Sequence, residues 1–500
     1  MNQLLDRLLD QSMLTAVIIP LLCYYIYAKF IQNSHQVEYK RYELHSKDGI
    51  QSKWNSLDDV LRLNYHKDRN FIYQVEQPHK DIVVIPAKYV DELKNLPESK
   101  VNFLEDINER FLGEYNKMLA PGGLEDLTLT HAIKNDLTPK LGIIMQEMQE
   151  EISYAFEGTV GKCKDWTPVS PQAAVMRIIA LVSGRIFVGP ELNRNDIYLS
   201  NLVGFAVRTW MVTTSMRRYP KWLRPLAQYW NPEVGKVEEA IATMGNLLKP
   251  LIIGRGEMIG SHNDMLAWSM ATCPQEHRED LRWQSMYQLQ IGTASIHVTS
   301  TTVTHLWFDL AARPDYMRIL RQEIEQLMAT GGVLDKTSIP RLRKLDSFMK
   351  ESMRINPFSV TGFSRKVMQD LTLSDGTILP KGITITTPVS QISMDPDIYP
   401  NPEIFDGLRF YKLREQPGNE TRHQFVATNK DCLNWGHGPR ACPGRFFANN
   451  EIKLIMAHLI LNYDIKLPDG EMRPRNVWTE GAIVPDGTRQ VLFRSRELRE

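Results

Sequence analysis

The segment from Trp435 to Ala448 (WGHGPRACPGRFFA) constrains the fold more than any other part of this chain. Gly436 and Gly438 let the backbone turn tightly and pass close to a flat partner. Cys442 follows, directly before a helical pattern, and the first turn of a helix offers unpaired N–H groups and the positive end of a dipole. Both favour a thiolate over a thiol. Because a proline follows the cysteine, N–H donors to the sulfur must come from Gly444 onward.

A cysteine in this setting predicts an axial ligand to haem iron. A thiolate ligand pushes electron density onto the iron and favours cleavage of the O–O bond. Arg440 is placed to hold a haem propionate by charge-assisted hydrogen bonds, and Trp435 to pack against the porphyrin edge. The alternative is a structural cysteine in a glycine-rich loop, since Cys432 shows that other cysteines occur nearby. The number of matching positions around Cys442 favours the ligand.

The loop resembles the haem-binding signature of the cytochrome P-450 superfamily, with Trp435 where phenylalanine is usual. The resemblance extends over essentially the whole chain and is strongest to fungal microsomal members that oxidise terpenoids and other secondary metabolites. It implies a mostly α fold with minor β structure, in which a large helical domain is joined to a small β-rich region. It also implies a haem b cofactor that lies against Gly436 and Gly438 and is ligated by Cys442.

Glu351 and Arg354 have the E-x-x-R spacing that places two side chains on one face of a helix. The motif alone is weak, because two other pairs in the chain match it equally well. Only Glu351 is followed by a predicted hairpin and then by the cysteine loop. By resemblance, Arg409 in the segment PEIFDGLRF completes a buried network that fixes the loop beneath the haem. The alternative is an ion pair at the surface.

Two further basic positions are assigned to the haem propionates by resemblance. Arg365, which precedes a predicted strand, matches one of them, and the alternative is a solvated arginine. The other family position lies on an earlier helix where Trp or His is followed by Arg. The best match here is His131 with Lys134, and a lysine would act as a point charge instead of a planar fork.

The helix that faces oxygen in this family is matched by a stretch that departs from the usual pattern. Small side chains at Ala294 and Ser295 let the helix open over the haem. His297 replaces the usual acid, and Val298 stands where a threonine normally helps to deliver protons. Either Thr299 serves instead through a local bulge, or protons arrive by water or a substrate hydroxyl and more peroxide escapes. A third interpretation is that the stretch merely packs.

Six residues, most of them apolar, are expected by resemblance to approach the substrate. They are Ala294, Val298, Val360, Thr361, Ile483 and Val484. Residues of these types are equally typical of plain core.

Periodicity along the chain predicts a helical globule with little sheet. Spacings of three and four residues run from about 100 to 355, and the stretch Trp283–Ala312 is apolar on nearly every face, which indicates a long buried helix. Helices are also predicted at 314–329, at Lys344–Arg354 and from near Cys442 onward. Strand patterns follow at a hairpin around Asp375-Gly376 that includes Leu371, Leu373, Ile383 and Ile385, and at Ala482–Val484 and Val491–Phe493. No linker divides residues 61–500, which we predict to form a single catalytic domain.

Charge and cysteine content exclude several classes of protein. Lys+Arg and Asp+Glu both number 59, whereas a nucleic-acid-binding protein usually carries a basic excess. The 5 cysteines are scattered and none has C-x-x-C spacing, which argues against a disulfide framework and a structural zinc site.

The N-terminal end predicts a membrane anchor over residues 1–31, followed by a polar connection over 32–60. Met13–Ala28 carries no charge and, with the apolar residues beside it, approaches the length of a membrane span. Acidic residues before the run and bulky residues after it are not typical of a cleaved signal peptide. The alternatives are such a peptide or a buried helix. Lys29, Lys40 and Arg41 follow the run, so the positive-inside tendency places the large domain in the cytosol. We therefore expect a single-pass protein of the endoplasmic reticulum membrane.

The resemblance implies a haem-thiolate monooxygenase that inserts oxygen from O2 into a lipophilic small molecule. Electrons would come from NADPH through a separate NADPH-cytochrome P-450 reductase, with cytochrome b5 as a further partner. One alternative is a haem-thiolate isomerase or peroxide-using enzyme that needs no reductase. The other is a non-catalytic haem sensor, against which the long buried helix with small residues argues.

Overall fold

The computed structural model of this protein describes residues 39–43, 56–77, 80–329, 333–479 and 481–496. The predicted anchor (1–31) lies outside these residues, as does most of the predicted connection (32–60). Within the described part, one helix, Pro171–Val188, is long and apolar enough to cross a membrane, and 72% of that stretch is buried inside the fold. Burial of this extent is typical of a core helix.

The architecture is mostly helical, as predicted. The helices are α1 (Leu57–Lys67), α2 (Val90–Leu93), α3 (Phe103–Phe111), α4 (Gly113–Asn116), α5 (Thr128–Ala132), α6 (Leu141–Thr159), α7 (Pro171–Val188), α8 (Asp196–Arg217), α9 (Arg224–Ala227), α10 (Pro232–Arg255), α11 (Met265–Thr272), α12 (Leu281–Ala311), α13 (Pro314–Ala329), α14 (Arg343–Ile355), α15 (Val389–Ile392), α16 (Arg409–Arg414) and α17 (Arg445–Asn462).

The strands are short and form small sheets. They are β1 (Lys40–Glu43), β2 (Tyr73–Glu76), β3 (Ile82–Val84), β4 (Val101–Asn102), β5 (Thr167–Val169), β6 (Gly362–Val367), β7 (Leu371–Thr372), β8 (Ile378–Leu379), β9 (Thr384–Thr387), β10 (Tyr463–Lys466), β11 (Val477–Thr479), β12 (Ala482–Val484) and β13 (Val491–Ser495). The largest sheet has the order β1-β2-β3-β9-β6-β4, and the smaller ones are β10-β13-β5, β11-β12 and β7-β8.

The 31-residue helix α12 forms the centre of the helical part. It packs against α7, α8 and α10, and its buried residues cover nearly its whole circumference, as the predicted buried helix requires. At Gly292 the side chain of Leu202 on α8 comes so close that there is no room for a Cβ atom. This crossing brings α8 over the middle of α12.

The predicted helices after α12 are confirmed with small differences in their ends. The chain restarts at Pro314 and runs to Ala329, and the next helix, α14, contains the predicted Lys344–Arg354. The last helix begins at Arg445, a turn after Cys442, because the loop carries the cysteine on the entry to the helix and not inside it.

The predicted hairpin around Asp375-Gly376 is only partly correct. Strands β7 and β8 pair over two residues each, Leu371 with Leu379 and Thr372 with Ile378. Ile385 belongs instead to β9, which pairs with β3 on one side and β6 on the other. Alternation of apolar residues indicates a strand but does not specify its partner, and here the partners are distant in sequence.

Candidate active site

The loop before α17 closes on itself through backbone hydrogen bonds. The Ala441 N–H donates to the Gly438 carbonyl (3.0 Å), and the Cys442 N–H donates to the Trp435 carbonyl (2.7 Å). Gly436 (φ 68°) and Gly438 (φ 81°) both have left-handed backbone, in which other residues are strained. The turn leaves Cys442 partly buried on the entry to α17.

The sulfur of Cys442 accepts hydrogen bonds from the first turn of α17. The N–H groups of Gly444 and Arg445 and the charge of Arg445 all favour the thiolate, so the prediction that donors begin at Gly444 is confirmed. Burial is the larger effect and raises the pKa of the Cys442 thiol. The helix terminus thus favours the thiolate, as predicted, but this effect does not outweigh burial. A cation bonded to the sulfur deprotonates it outright, so a buried thiol surrounded by N–H donors fits a metal ligand.

Arg365 on β6 is buried without a carboxylate partner. It is 5% exposed, its guanidinium lies over the rings of Phe103 (5.2 Å) and Phe363 (4.4 Å), and its Nη1 donates to the Ser364 carbonyl (2.8 Å). Burial lowers the pKa of Arg365 to about 10. Among the residues that the structure describes, no acid forms an ion pair with it. Buried charges are normally paired, so this position fits an anionic group such as a haem propionate.

Arg440 lies in the same electrostatic neighbourhood. Its Nε donates to Glu98 Oε1 (2.6 Å), and the charges of Glu98 and Arg440 both influence the pKa of Arg365. The second oxygen of Glu98 is buried and has no hydrogen-bond partner in the described part of the chain. The charges of Glu98 and Asp106 both act on Arg365, but Glu98 pairs with Arg440 and Asp106 pairs with Lys80. Arg365 therefore remains available to an anionic ligand.

The third predicted propionate position is not brought into this group by any direct contact. His131 lies in the last turn of α5, and Lys134 lies in the π-helical turn Ile133–Leu137 that follows. Both side chains are exposed. In the described ranges neither forms a hydrogen bond or ion pair with Arg365 or Arg440.

Trp435 is fixed from the protein side of the loop. Its indole N–H donates to the Phe425 carbonyl (2.9 Å), and its ring meets the Phe425 ring edge-on at 5.4 Å between centroids. The indole therefore braces the loop against the segment before it, a role that its N–H makes specific. The packing of this ring against the porphyrin edge remains a prediction.

Glu351, Arg354 and Arg409 form one buried network. Arg354 Nε and Nη2 each donate to Glu351 at 2.8 Å, and Arg409 Nε reaches both oxygens of the same carboxylate (3.2 and 3.1 Å). Arg409 also donates to the carbonyls of Pro400 (2.7 Å) and Ile404 (2.9 Å). Glu351 is 0% exposed. The network joins α14 to the irregular segment that leads to the cysteine loop.

The other two E-x-x-R matches do not form internal pairs. Arg194 binds Glu151 instead of the glutamate three residues before it, and Arg282 binds Glu238. Of the three matches, only Glu351 pairs with the arginine three residues later, and only Glu351 precedes the predicted hairpin and the cysteine loop.

One face of α12, called the open face below, is less buried than the rest of the helix. Ala294 is exposed, and Val298 and the nearby Thr293, Ser295 and His297 are half-buried. Thr299 is 6% exposed and points to another side, and the helix is continuous through this region, so the bulge that would redirect Thr299 is not present. Ser295 Oγ donates to the Ile291 carbonyl (2.7 Å).

Sequence reasoning missed Thr302, which lies one turn beyond Val298 on the same face. It is half-buried, and its Oγ1 donates to the Val298 carbonyl (2.9 Å). The spacing of four residues could have identified it. His297, at the position of the usual acid, bonds through Nε2 to the Val203 carbonyl of α8 (2.9 Å) and so ties α8 to α12.

The remaining predicted substrate residues lie side by side. The Val360 N–H donates to the Gly481 carbonyl (2.8 Å), and the Ile483 N–H donates to the Phe358 carbonyl (3.0 Å), so segments 358–361 and 481–484 are adjacent. Val360 (1% exposed) and Ile483 (2%) belong to one apolar cluster. Thr361 and Val484 are half-buried and present more surface to a ligand.

The comparisons with known proteins agree with this site. A model of the cytochrome P-450 family matches residues 128–493. The cytochrome P-450 monooxygenase ORF5 of Penicillium roqueforti is 42% identical over 448 residues, which are 88% of this chain and 83% of that protein. The ent-kaurene oxidase of Gibberella intermedia is 34% identical over 447 residues, 88% of this chain and 84% of its own. A solved structure of the cyanobacterial CYP120A1 bound to retinoic acid has a TM-score of 0.66 at 19% identity and covers 92% of this chain and 99% of its own.

The fold and the cysteine loop thus define a haem-thiolate protein of the cytochrome P-450 class, and this chain belongs to the cytochrome P-450 family. It is a monooxygenase, an oxidoreductase that incorporates oxygen into its substrate. The family implies a haem held by a cysteine thiolate, a redox partner and a small-molecule substrate.

Proposed function

We propose that this protein uses O2 and electrons from NADPH to oxidise a lipophilic small molecule, a terpenoid or other secondary-metabolite intermediate. Cys442 is the axial ligand of haem b in this proposal. Two observations carry it. The partly buried sulfur of Cys442 lies at the first turn of α17, where the N–H groups of Gly444 and Arg445 favour its thiolate. The buried guanidinium of Arg365 forms no ion pair with a carboxylate among the described residues.

The chain's own residues hold the cofactor by charge and by shape. Arg365 and Arg440 bind the propionates, and Lys134 with His131 adds a weaker cationic contact from its exposed position. Gly436 and Gly438 allow the close approach of the loop to the ring. When bound, a haem with a thiolate ligand supplies the activation of dioxygen.

Water has to carry protons at the position where this chain lacks a hydroxyl group. Val298 cannot donate or accept a proton, and Thr299 is buried away from the open face of α12. We infer that Ser295, Thr302 and ordered water carry protons to the oxygen side, or that a substrate hydroxyl does so. Slow proton delivery is expected to release peroxide.

Val298 also favours a second candidate function, that of a haem-thiolate isomerase or peroxide-using enzyme. Such chemistry does not require protons to be delivered to bound dioxygen. Turnover that needs NADPH and a reductase supports the monooxygenase, and turnover with peroxide alone supports the alternative.

The substrate is expected to be apolar. Val298, Val360 and Ile483 are hydrocarbon side chains on the elements that border the site, and apolar walls favour apolar ligands. The Gibberella relative is named as an oxidase of ent-kaurene, and we propose a related class of substrate here.

The proposal also includes a membrane location. Residues 1–31 anchor the chain in the endoplasmic reticulum membrane, and residues 61–500 form a cytosolic catalytic domain. This domain takes electrons from NADPH-cytochrome P-450 reductase and from cytochrome b5. Support comes from the segment 207–230, where exposed apolar side chains are frequent. They are Val207, Trp210, Met211, Trp222, Leu226, Tyr229 and Trp230. No acidic residue occurs between Asp196 and Glu233. Aromatic and basic side chains of this kind suit an anionic lipid surface.

The absorption spectrum of the reduced, CO-bound protein tests the ligand. The wild type is expected to show the thiolate-shifted Soret band, and Cys442→Ser to lose it. Cys432→Ser is the matched control, because Cys432 is buried ten positions earlier and its sulfur donates to the Ala427 carbonyl (3.6 Å). A wild-type Soret band without that shift, or a Cys442→Ser spectrum that equals the wild type, would exclude the proposal.

A further inference from the structure

A buried polar cluster lies at the C-terminal end of α12, outside the site described so far. Its members on α12 are His305 (2% exposed) and Asp309 (1%), and its members on and after α14 are Ser352 (1%) and Asn356 (5%). Arg473, far along the chain, fills the centre. A cleft of about 500 Å³ opens beside the cluster and is lined by Asp309, Asn356 and Arg473 among others.

Arg473 uses every N–H of its guanidinium. Nε donates to Asp309 (2.6 Å), and Nη2 donates to Asn356 Oδ1 and to His305 Nδ1 (3.1 Å each). Nη1 donates to the carbonyl of Pro474 (2.7 Å) and to Asn476 Oδ1 (2.9 Å). Five donors in a rigid fork are thereby all satisfied, a geometry that lysine cannot reproduce.

His305 is held in one protonation state by this arrangement. Burial and the charge of Arg473 lower the pKa of His305 to about 3. Because arginine only donates, Nδ1 must accept, so Nε2 carries the hydrogen. The backbone of Ile483 interacts with the imidazole and opposes the pKa shift, although Nε2 forms no regular hydrogen bond. The imidazole therefore lies between Arg473 and the strand that carries Ile483.

The cluster continues directly into the hairpin β11–β12. Asn476, which immediately precedes β11, donates to Asn356 Oδ1 (2.7 Å), and β11 pairs with β12 through Trp478 and Ile483. On its other side, β12 bonds to segment 358–360. On the β11 side of β12, Arg473 and its partners therefore set the position of Ile483 relative to α12.

Asp309 explains why the cluster is rigid. Its buried carboxylate accepts from Ser352 (2.6 Å) and Asn356 (3.2 Å) and pairs with Arg313 (3.0 Å) and Arg473 (2.6 Å). Removal of one partner from a buried, fully bonded charge is costly, so the arrangement resists displacement.

We propose that Arg473 is a positioning residue that determines which substrates fit, because it fixes the β11–β12 hairpin to α12 through His305, Asp309 and Asn356. The role of Ile483 and Val484 as substrate contacts rests on the proposed function. The attachment of the hairpin does not.

The test compares Arg473→Lys with Arg321→Lys in the haem-loaded protein. Arg321 is a matched control: its side chain is 17% exposed against 18% for Arg473, and it also binds one carboxylate, Asp464 (3.0 Å), and two backbone carbonyls. Hydrogen exchange of the amides of 477–484 measures the attachment. Binding of imidazole and of 1-dodecylimidazole, followed by the Soret shift, measures access to the haem and the shape of the cavity.

Arg473→Lys is expected to speed exchange in 477–484 by about tenfold, the loss of one or two buried charge-assisted hydrogen bonds, with no change in 463–466. It is also expected to weaken the binding of 1-dodecylimidazole by about fivefold or more, while the affinity for imidazole changes by less than about twofold. Arg321→Lys should change neither the exchange of 477–484 nor the binding of 1-dodecylimidazole.

Equal exchange rates of 477–484 in Arg473→Lys and Arg321→Lys would overturn the inference. Equal weakening of imidazole and 1-dodecylimidazole binding in Arg473→Lys would do so as well. His305→Gln provides a second variant, which retains a buried hydrogen-bond acceptor. It should also weaken the binding of 1-dodecylimidazole. A wild type without any Soret response would count against the proposed haem site alone, since the exchange measurement does not depend on it.

Discussion

Glu351 and Arg354 are joined by two parallel hydrogen bonds of 2.8 Å, from Nε to one carboxylate oxygen and from Nη2 to the other. Both residues are on α14, three positions apart, and both are buried. The same carboxylate accepts from Arg409 and from the N–H of Asp406 (3.0 Å). One acid thereby connects a regular helix to the irregular segment that leads to Cys442.

Glu351→Ala is expected to lower the free energy of unfolding by roughly 3–5 kcal/mol, because two buried guanidinium groups lose their counterion. Urea unfolding followed by tryptophan fluorescence measures the change. Glu279→Ala is the matched control, since Glu279 has the same E-x-x-R spacing but is exposed, and Arg282 binds Glu238. A loss as small as that of the control would contradict the role of the network.

Arg365→Met is expected to speed haem loss by about tenfold or more, because a hydrogen-bonded charge contributes about 1.5–3 kcal/mol to the bound state. Transfer of haem to apomyoglobin measures the rate. The haem-free variant should be no less stable than haem-free wild type, since it no longer buries an unpaired charge. Unchanged haem loss would remove Arg365 from the propionate site.

Val298→Thr is expected to lower the fraction of NADPH electrons that appear as peroxide, because a hydroxyl on the open face of α12 can relay protons. Peroxide and product are measured per NADPH consumed. Thr299→Val is the control, and it should change the ratio little because Thr299 is buried on another side. The reverse ranking of the two variants would indicate that Thr299 is the residue that relays protons.

Stability should fall as the pH drops below about 6.5, in part because of buried histidines. Burial lowers the pKa of His458 from 6.5 to about 4, so the unfolded chain takes up a proton first as the pH falls. The contribution is fully present above pH 6.5 and is lost toward pH 4, with a slope of up to about 1.4 kcal/mol per pH unit.

His458→Phe is expected to flatten the dependence of unfolding free energy on pH between 6.5 and 4, while the new ring keeps the contact with Phe156 (4.5 Å between ring centroids). His66→Gln, at an exposed position, is the control and should leave the slope unchanged. Identical slopes in His458→Phe and wild type would contradict the assignment.

The sequence by itself determined the features that depend on neighbouring residues. Glycine spacing, a proline after Cys442 and an apolar helical stripe sufficed for the loop and for α17, because turn conformation and helical periodicity are local properties. The long apolar run likewise specified α12. The face that Glu351 and Arg354 share follows from a spacing of three residues.

Only the tertiary structure decided which groups meet across the chain. Alternating residues around Ile385 indicated a strand, yet its partners β3 and β6 come from distant segments. Arg365 is recognisable as a special arginine only once its burial without an acid is known, and the same holds for Arg473, whose bonds to His305 and Asn356 span more than a hundred residues. Burial and long-range pairing arise from packing of the whole molecule, and no local pattern encodes them.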